Sequence, residues 1–167
     1  MKRLVVICAC ALFLSSCSPS VLLLKGEYAN GNYSMKTSKD KDSIWENIID
    51  WFFDQQLSIS LIDKESGIIA SGTISLLPQS AEERYGKPSD PEAYCVVAAD
   101  PYYLWPNYVG NVAGSIMARV RQDDDSTIVS VQLANLECRN SNNRYIEVKS
   151  TGVLEKKLLK QMIDGKQ

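Results

Sequence analysis

A chain of 167 residues without a single histidine cannot run Ser-His-Asp or Cys-His catalysis or bind zinc through imidazole, and it lacks the side chain that titrates nearest neutrality. Its hydrophobic content of 45% is enough for one domain with a real core. Eighteen basic against 20 acidic residues, net −2, leave no electrostatic footprint for nucleic acid.

The chain begins with basic Met1-Lys2-Arg3, and an apolar run from Leu4 to Leu14 ends in Ser15-Ser16-Cys17, the layout of an export signal. Eleven apolar residues are too few to span a bilayer. The sequence Leu14-Ser15-Ser16-Cys17 resembles the bacterial lipobox, in which small residues admit the signal peptidase and the cysteine thiol is diacylated before cleavage. The resemblance implies a signal peptide over 1–16, lipid on Cys17, and an acylated N-terminus over 17–36 that serves as tether or first strand. A soluble secreted protein and an uncleaved anchor are the alternatives. Cleavage would leave 151 residues with 16 basic and 20 acidic side chains, net −4. Three acyl chains hold a domain firmly, since each buried methylene contributes about 0.8 kcal/mol. By the same resemblance, Ser18 after the cysteine implies sorting to the outer membrane. The absence of an acidic run there favours its periplasm-facing leaflet. Cys8 and Cys10 leave with the signal, so Cys95 and Cys138 are the thiols of the mature domain. They either form a disulfide or sit separately as small buried hydrophobes.

Val21 to Leu24 is a short apolar patch, tether or first strand, and Asn30-Gly31 marks a turn before the domain proper at 37–167. From Asp42 a helix is expected, because Trp51, Ile44, Ile48, Phe52, Trp45 and Ile49 share one arc at helical spacing while Glu46, Asp50, Asp54 and Asn47 share the other. Ser43 with Glu46 fits a capping box, and Asp40 and Asp42 suit the positive end of the helix dipole. Leu57, Ile59 and Leu61 then alternate as a half-buried strand. Lys64 to Gly67 turns into a partner strand over Ile68 to Leu77. Pro78 to Pro91 reads as an exposed connection and Ala93 to Ala99 as a third strand. Ser115 to Arg121 and Thr127 to Leu136 form a hairpin about Gln122 to Asp125. In it Ile116, Ala118 and Val120 oppose Met117, Arg119 and Arg121, and Val129, Val131 and Leu133 share a face. Tyr145 to Lys149 reads as a short edge strand. Ser150 or Thr151 would cap a C-terminal helix carrying Leu154, Leu158, Leu159, Met162 and Ile163 and closed by Gly165.

The order helix, antiparallel meander, helix predicts an α+β fold: a curved antiparallel sheet of about five to six strands packed on a long N-terminal helix and a C-terminal helix. Ser43-x-Trp45-x-x-Ile48, Leu57-x-Ile59, Asp63-x-x-x-Gly67-x-Ile69 and Ser150-Thr151-Gly152-x-Leu154-Glu155 resemble the helix-grip, TBP-like domains of small bacterial envelope lipoproteins. That group includes the assembly lipoprotein C domains. The likeness spans roughly residues 35–165 and implies a fold more than an activity.

Chemical motifs are scarce. Gly110 and Gly114 lack the neighbours of a phosphate-cradling loop, two mature thiols cannot make a Cys-only zinc site, and Asp123-Asp124-Asp125 lacks the alternation of a calcium loop and reads as a solvated turn. Glu82-Glu83 reads as plain loop charge, without a second carboxylate placed for acid–base work. The remaining candidate is the aromatic loop containing Tyr102, Tyr103, Trp105 and Tyr108, four rings in eight residues. Such rings either present a partner or ligand surface or fold back over the sheet. The expectation is a non-catalytic, membrane-anchored binding or scaffold module with no cofactor and no nucleic-acid partner, its partner an envelope protein or glycan. The alternatives are a small-ligand carrier using the helix–sheet cleft and a carboxylate-dependent glycan-acting enzyme.

Overall fold

In the computed structural model, residues 23–28, 33–99, 109–140, 143 and 145–165 are described. The strands are β1 (Tyr33–Thr37), β2 (Ile59–Asp63), β3 (Ile68–Ser71), β4 (Ile74–Ser75), β5 (Ser80–Arg84), β6 (Lys87–Pro88), β7 (Cys95–Val97), β8 (Val109–Asp123), β9 (Ser126–Asn140), β10 (Tyr145–Ile146) and β11 (Val148–Ser150). The helices are α1 (Lys41–Asp54) and α2 (Val153–Asp164). The large sheet runs β1-β9-β8-β3-β2, with β10 on β9 and β4 on β8, and a small sheet runs β11-β7-β5-β6. All pairs are antiparallel except β5 with β7. The protein is α+β, as the element order predicts.

The β8–β9 hairpin is the spine, longer in both arms than its clearest alternation, with 15 residues in each. Ile116, Ala118, Val120, Val129, Val131 and Leu133 turn inward, because a strand period of two keeps every second side chain on one face. Register shifts at Val109/Asn111 and Ala113/Ser115 bend the ladder, as bulges do, and curl the sheet. Against its inner face α1 places Ile44, Trp45, Ile48 and Phe52, and α2 places Leu154, Leu158, Leu159, Met162 and Ile163. Ile49 and Trp51 are half-buried at the margin, while Phe53 is 81% exposed.

Several local expectations are corrected. The N-cap of α1 is Asp40, whose carboxylate accepts from the Ser43 amide at 2.9 Å; the spacing that fits a capping box at Ser43 belongs one turn earlier. All five residues of β2 are exposed, because β2 is an edge strand and the helices lie against β8, β9 and β1. The expected loop at Pro78–Pro91 contains β5 and β6, where polar Ser80–Arg84 becomes a strand by pairing parallel with β7 and buries only Ala81 and Glu83. The expected strand Ala93–Ala99 shortens to Cys95–Val97 and belongs to the small sheet. The N-cap of α2 is Gly152 in the left-handed region, at φ 83°, without a side-chain cap. A Cβ there would fall 1.8 Å from the Tyr33 hydroxyl. Gly165 closes α2 as expected.

Candidate functional site

Of the residues singled out from the sequence, Cys17 and the aromatic loop of Tyr102, Tyr103, Trp105 and Tyr108 lie outside the described residues. Cys95 on β7 and Cys138 on β9 are buried free thiols. Burial pushes Cys95 up to about 12, with the charges of Glu155 and Cys138 adding to it, and pushes Cys138 up to about 11.

The densest polar constellation is one that sequence reasoning passed over. Residues 23–28 form a strap laid across the small sheet, and its donors converge on two carboxylates. The Lys25 amide donates to both Glu83 oxygens, at 3.0 and 2.8 Å, and the Gly26 amide to Oε1 at 2.7 Å. The Tyr28 hydroxyl donates to the same oxygen at 2.8 Å. One step back, the Leu24 amide donates to Glu147 Oε2 at 2.7 Å, while Lys149 holds Oε1 at 3.1 Å. Burial alone would raise the Glu83 carboxyl, but the amides of Lys25 and Gly26, the Tyr28 hydroxyl and the Lys25 charge outweigh it and leave it below its ordinary value. The Leu24 amide, joined by Lys149, pulls Glu147 down in the same way. Tyr28 is pushed up to about 12, by burial first and then by its bond to Glu83.

Fit reinforces charge at this seat. Tyr85 and Gly86, at φ 53° and 76°, make the two-residue turn between β5 and β6 that a tight hairpin prefers. Gly26 lies so close to it that a Cβ on Gly26 would sit 2.2 Å from the Gly86 carbonyl oxygen. The pair Glu82-Glu83 is therefore not plain loop charge. Glu82 is half-buried, but Glu83 is 8% exposed and holds the strap. The available signal was the strand alternation of Ala81 and Glu83, which puts both on one face.

Two further polar features lie elsewhere among the described residues. A groove of about 480 Å³ runs between α1 and α2, lined by Asn47, Asp50, Trp51, Lys160, Gln161 and Asp164. The Trp51 indole donates to Gln161 across it at 3.3 Å. The helix–sheet interface itself, where a carrier would hold its ligand, is filled by Ile44, Ile48 and Phe52. Inside the core, Glu155 accepts from the Ser150 hydroxyl at 2.6 Å and the Leu133 amide at 3.2 Å, tying the first turn of α2 to β11 and β9. Among the described residues no group of three or more His, Cys, Asp or Glu is arranged to hold a metal, and no helix is long and apolar enough to cross a membrane. No protein-family model matches the chain, and a comparison with curated proteins finds no similar sequence.

Proposed function

We propose that this chain is a lipid-anchored envelope protein, a non-catalytic binding or scaffold module with a helix-grip, TBP-like domain. In this reading acyl chains on Cys17 hold it at the periplasmic face of the outer membrane, and its partner is an envelope protein or glycan. The address rests on the lipobox resemblance, and one observation supports the tethered reading: the strap seated on Glu83 and Glu147 starts almost directly behind Cys17. At most about 25 Å of extended chain can separate Cys17 from Leu24, taking the reach of about 3.3 to 3.6 Å per residue. A leash bound to the body of its own domain sets the height and facing of that domain above the membrane. The same carboxylates are engaged by backbone amides of the strap, which supports a binding role for them over acid–base work.

Metabolic labelling with radioactive palmitate tests the proposal. Wild type should carry label and fractionate with the outer membrane, and Cys17→Ala should lose both. An unlabelled wild-type protein in the soluble fraction would overturn it.

A further inference from the structure

Among the described residues the helices cover one face of the large sheet and leave the other open. On that open face β8 places Met117, Arg119 and Arg121, β9 places Ile128, Ser130 and Gln132, and β3 places Ile68. The register sets Arg121 across from Ile128, Arg119 across from Ser130, Met117 across from Gln132, and Ile68 across from Arg119. Lys36 of β1 lies across from Ile128 on the far side. A groove of about 410 Å³ runs over these residues, so the face is concave and not merely bare.

Its chemistry is opposite to that of the protein around it. The chain is acidic overall, at net −2, yet this groove gathers two exposed guanidiniums on a half-buried floor of Ile68, Met117 and Ile128. Neither arginine makes a salt bridge among the described residues. Asp123 at the end of the groove is bonded to Lys36 at 2.9 Å; that bond, the charge of Lys36 and, less, that of Arg121 hold its carboxyl below its ordinary value, which leaves Arg119 as the guanidinium further from that carboxylate. A guanidinium fork matches a carboxylate through two parallel hydrogen bonds, and Arg and Met are enriched where proteins bind one another. Spacing adds a further condition. Arg119 and Arg121 are alternate residues of one strand, about 7 Å apart at the usual rise of about 3.4 Å per residue. Carboxylates at alternate positions of another extended chain repeat at the same interval.

We propose that this face docks an extended acidic segment of a partner protein. Alternate carboxylates of the segment pair with Arg119 and Arg121, and an apolar side chain two residues further along, on the same face of the segment, rests on Met117. The anchoring membrane is a poorer occupant because of position. The strap is seated at Glu147, next to Ile146, which lies across from Cys138 on β9, and along β9 the groove runs from Gln132 to Ile128, about 20 to 34 Å of strand from Cys138. That last step rests on the proposed tether at Cys17; the charge and spacing argument does not.

The test uses the full chain in detergent and three probes: a short fluorescein-labelled peptide alternating Asp and Val, its Lys-and-Val counterpart, and phosphatidylglycerol vesicles. The acidic peptide should bind by fluorescence anisotropy, weaken as salt rises, and lose at least about tenfold in affinity in Arg119→Glu/Arg121→Glu, since close interfacial charge pairs carry that much coupling or more. Arg119→Gln/Arg121→Gln, with an unchanged thermal midpoint, guards against misfolding of the charge reversal and should show the same loss. Equal binding of both peptides, binding of neither, or no loss in the Gln variant would overturn the proposal. So would tight vesicle binding that the acidic peptide cannot displace, which would assign the face to lipid. Palmitate labelling of Cys17 is read separately, so a failed docking test leaves the anchor proposal standing on its own result.

Discussion

Unseating the strap should open one end of the molecule while the core stays folded. Glu83→Ala removes the acceptor of the Lys25 and Gly26 amides and of the Tyr28 hydroxyl. At about 1.5 kcal/mol for each hydrogen bond to a charged group, the gross loss is about 4 to 5 kcal/mol. The strap rehydrates when it lifts, so its own local docking energy caps the observable effect, and an increase of at least about tenfold in opening, or about 1.4 kcal/mol, is expected. Gly26→Ala should produce the same opening by a different route, because its Cβ would fall 2.2 Å from the Gly86 carbonyl oxygen. Hydrogen exchange read by mass spectrometry on peptides spanning 23–28, together with trypsin cleavage after Lys25, reports the opening. Exchange in β8 and β9 reports the core. A less than twofold change over 23–28 in both variants would refute the reasoning, and loss of protection in β8 and β9 would show that the strap is part of the cooperative core.

Other outcomes follow from the same contacts. Trp45, 6% exposed in the core, should cost about 3 to 5 kcal/mol when changed to Ala; a urea midpoint shift worth under about 1 kcal/mol would show that α1 is peripheral. The strap should respond to pH at both ends. Glu83 and Glu147 sit below their ordinary 4.5, so their contribution is complete above 4.5 and fades as the pH falls through the lower folded values. Tyr28 sits above its ordinary 10.0, so its contribution is complete below 10.0 and is lost as the pH rises towards about 12. Amide resonances of Leu24, Lys25 and Gly26 should therefore move at acid and alkaline pH and stay still between; a shift centred near neutrality would contradict this. Cys95 and Cys138, buried and with raised pKa values, should resist iodoacetamide in the native protein and react when it is unfolded. Resistance that persists after unfolding without reductant would instead mean that the two are bonded.

Periodicity carried the parts of the fold that are amphipathic on their own. The inward sets Ile44, Trp45, Ile48, Phe52 and Ile116, Ala118, Val120 were legible because each element buries one face against a partner of any identity. What escaped depended on a particular neighbour. Ser80–Arg84 has the composition of a loop and becomes a strand only because β7 lies beside it. Glu83 resembles a surface charge until Lys25, Gly26 and Tyr28 arrive from a segment more than 50 residues away in sequence. The alternation at Leu57, Ile59 and Leu61 misled for the opposite reason. It describes a strand with one face to bury, and the helices settle on β8, β9 and β1 instead, leaving β2 exposed at the rim.

With the proposed anchor at Cys17, the strap would lie between the membrane and the first strand and would also decide how the domain meets mechanical load. A pull transmitted along the leash arrives at Leu24, Lys25, Gly26 and Tyr28 before it reaches Tyr33, where β1 begins its five-pair ladder with β9. The five hydrogen bonds from these four donors would then yield first, before the large sheet is sheared. The seat would act as a mechanical fuse: it would part before the β1–β9 ladder, give up the contact Leu24 makes with the core, and close again when Glu83 and Glu147 recapture the same four donors.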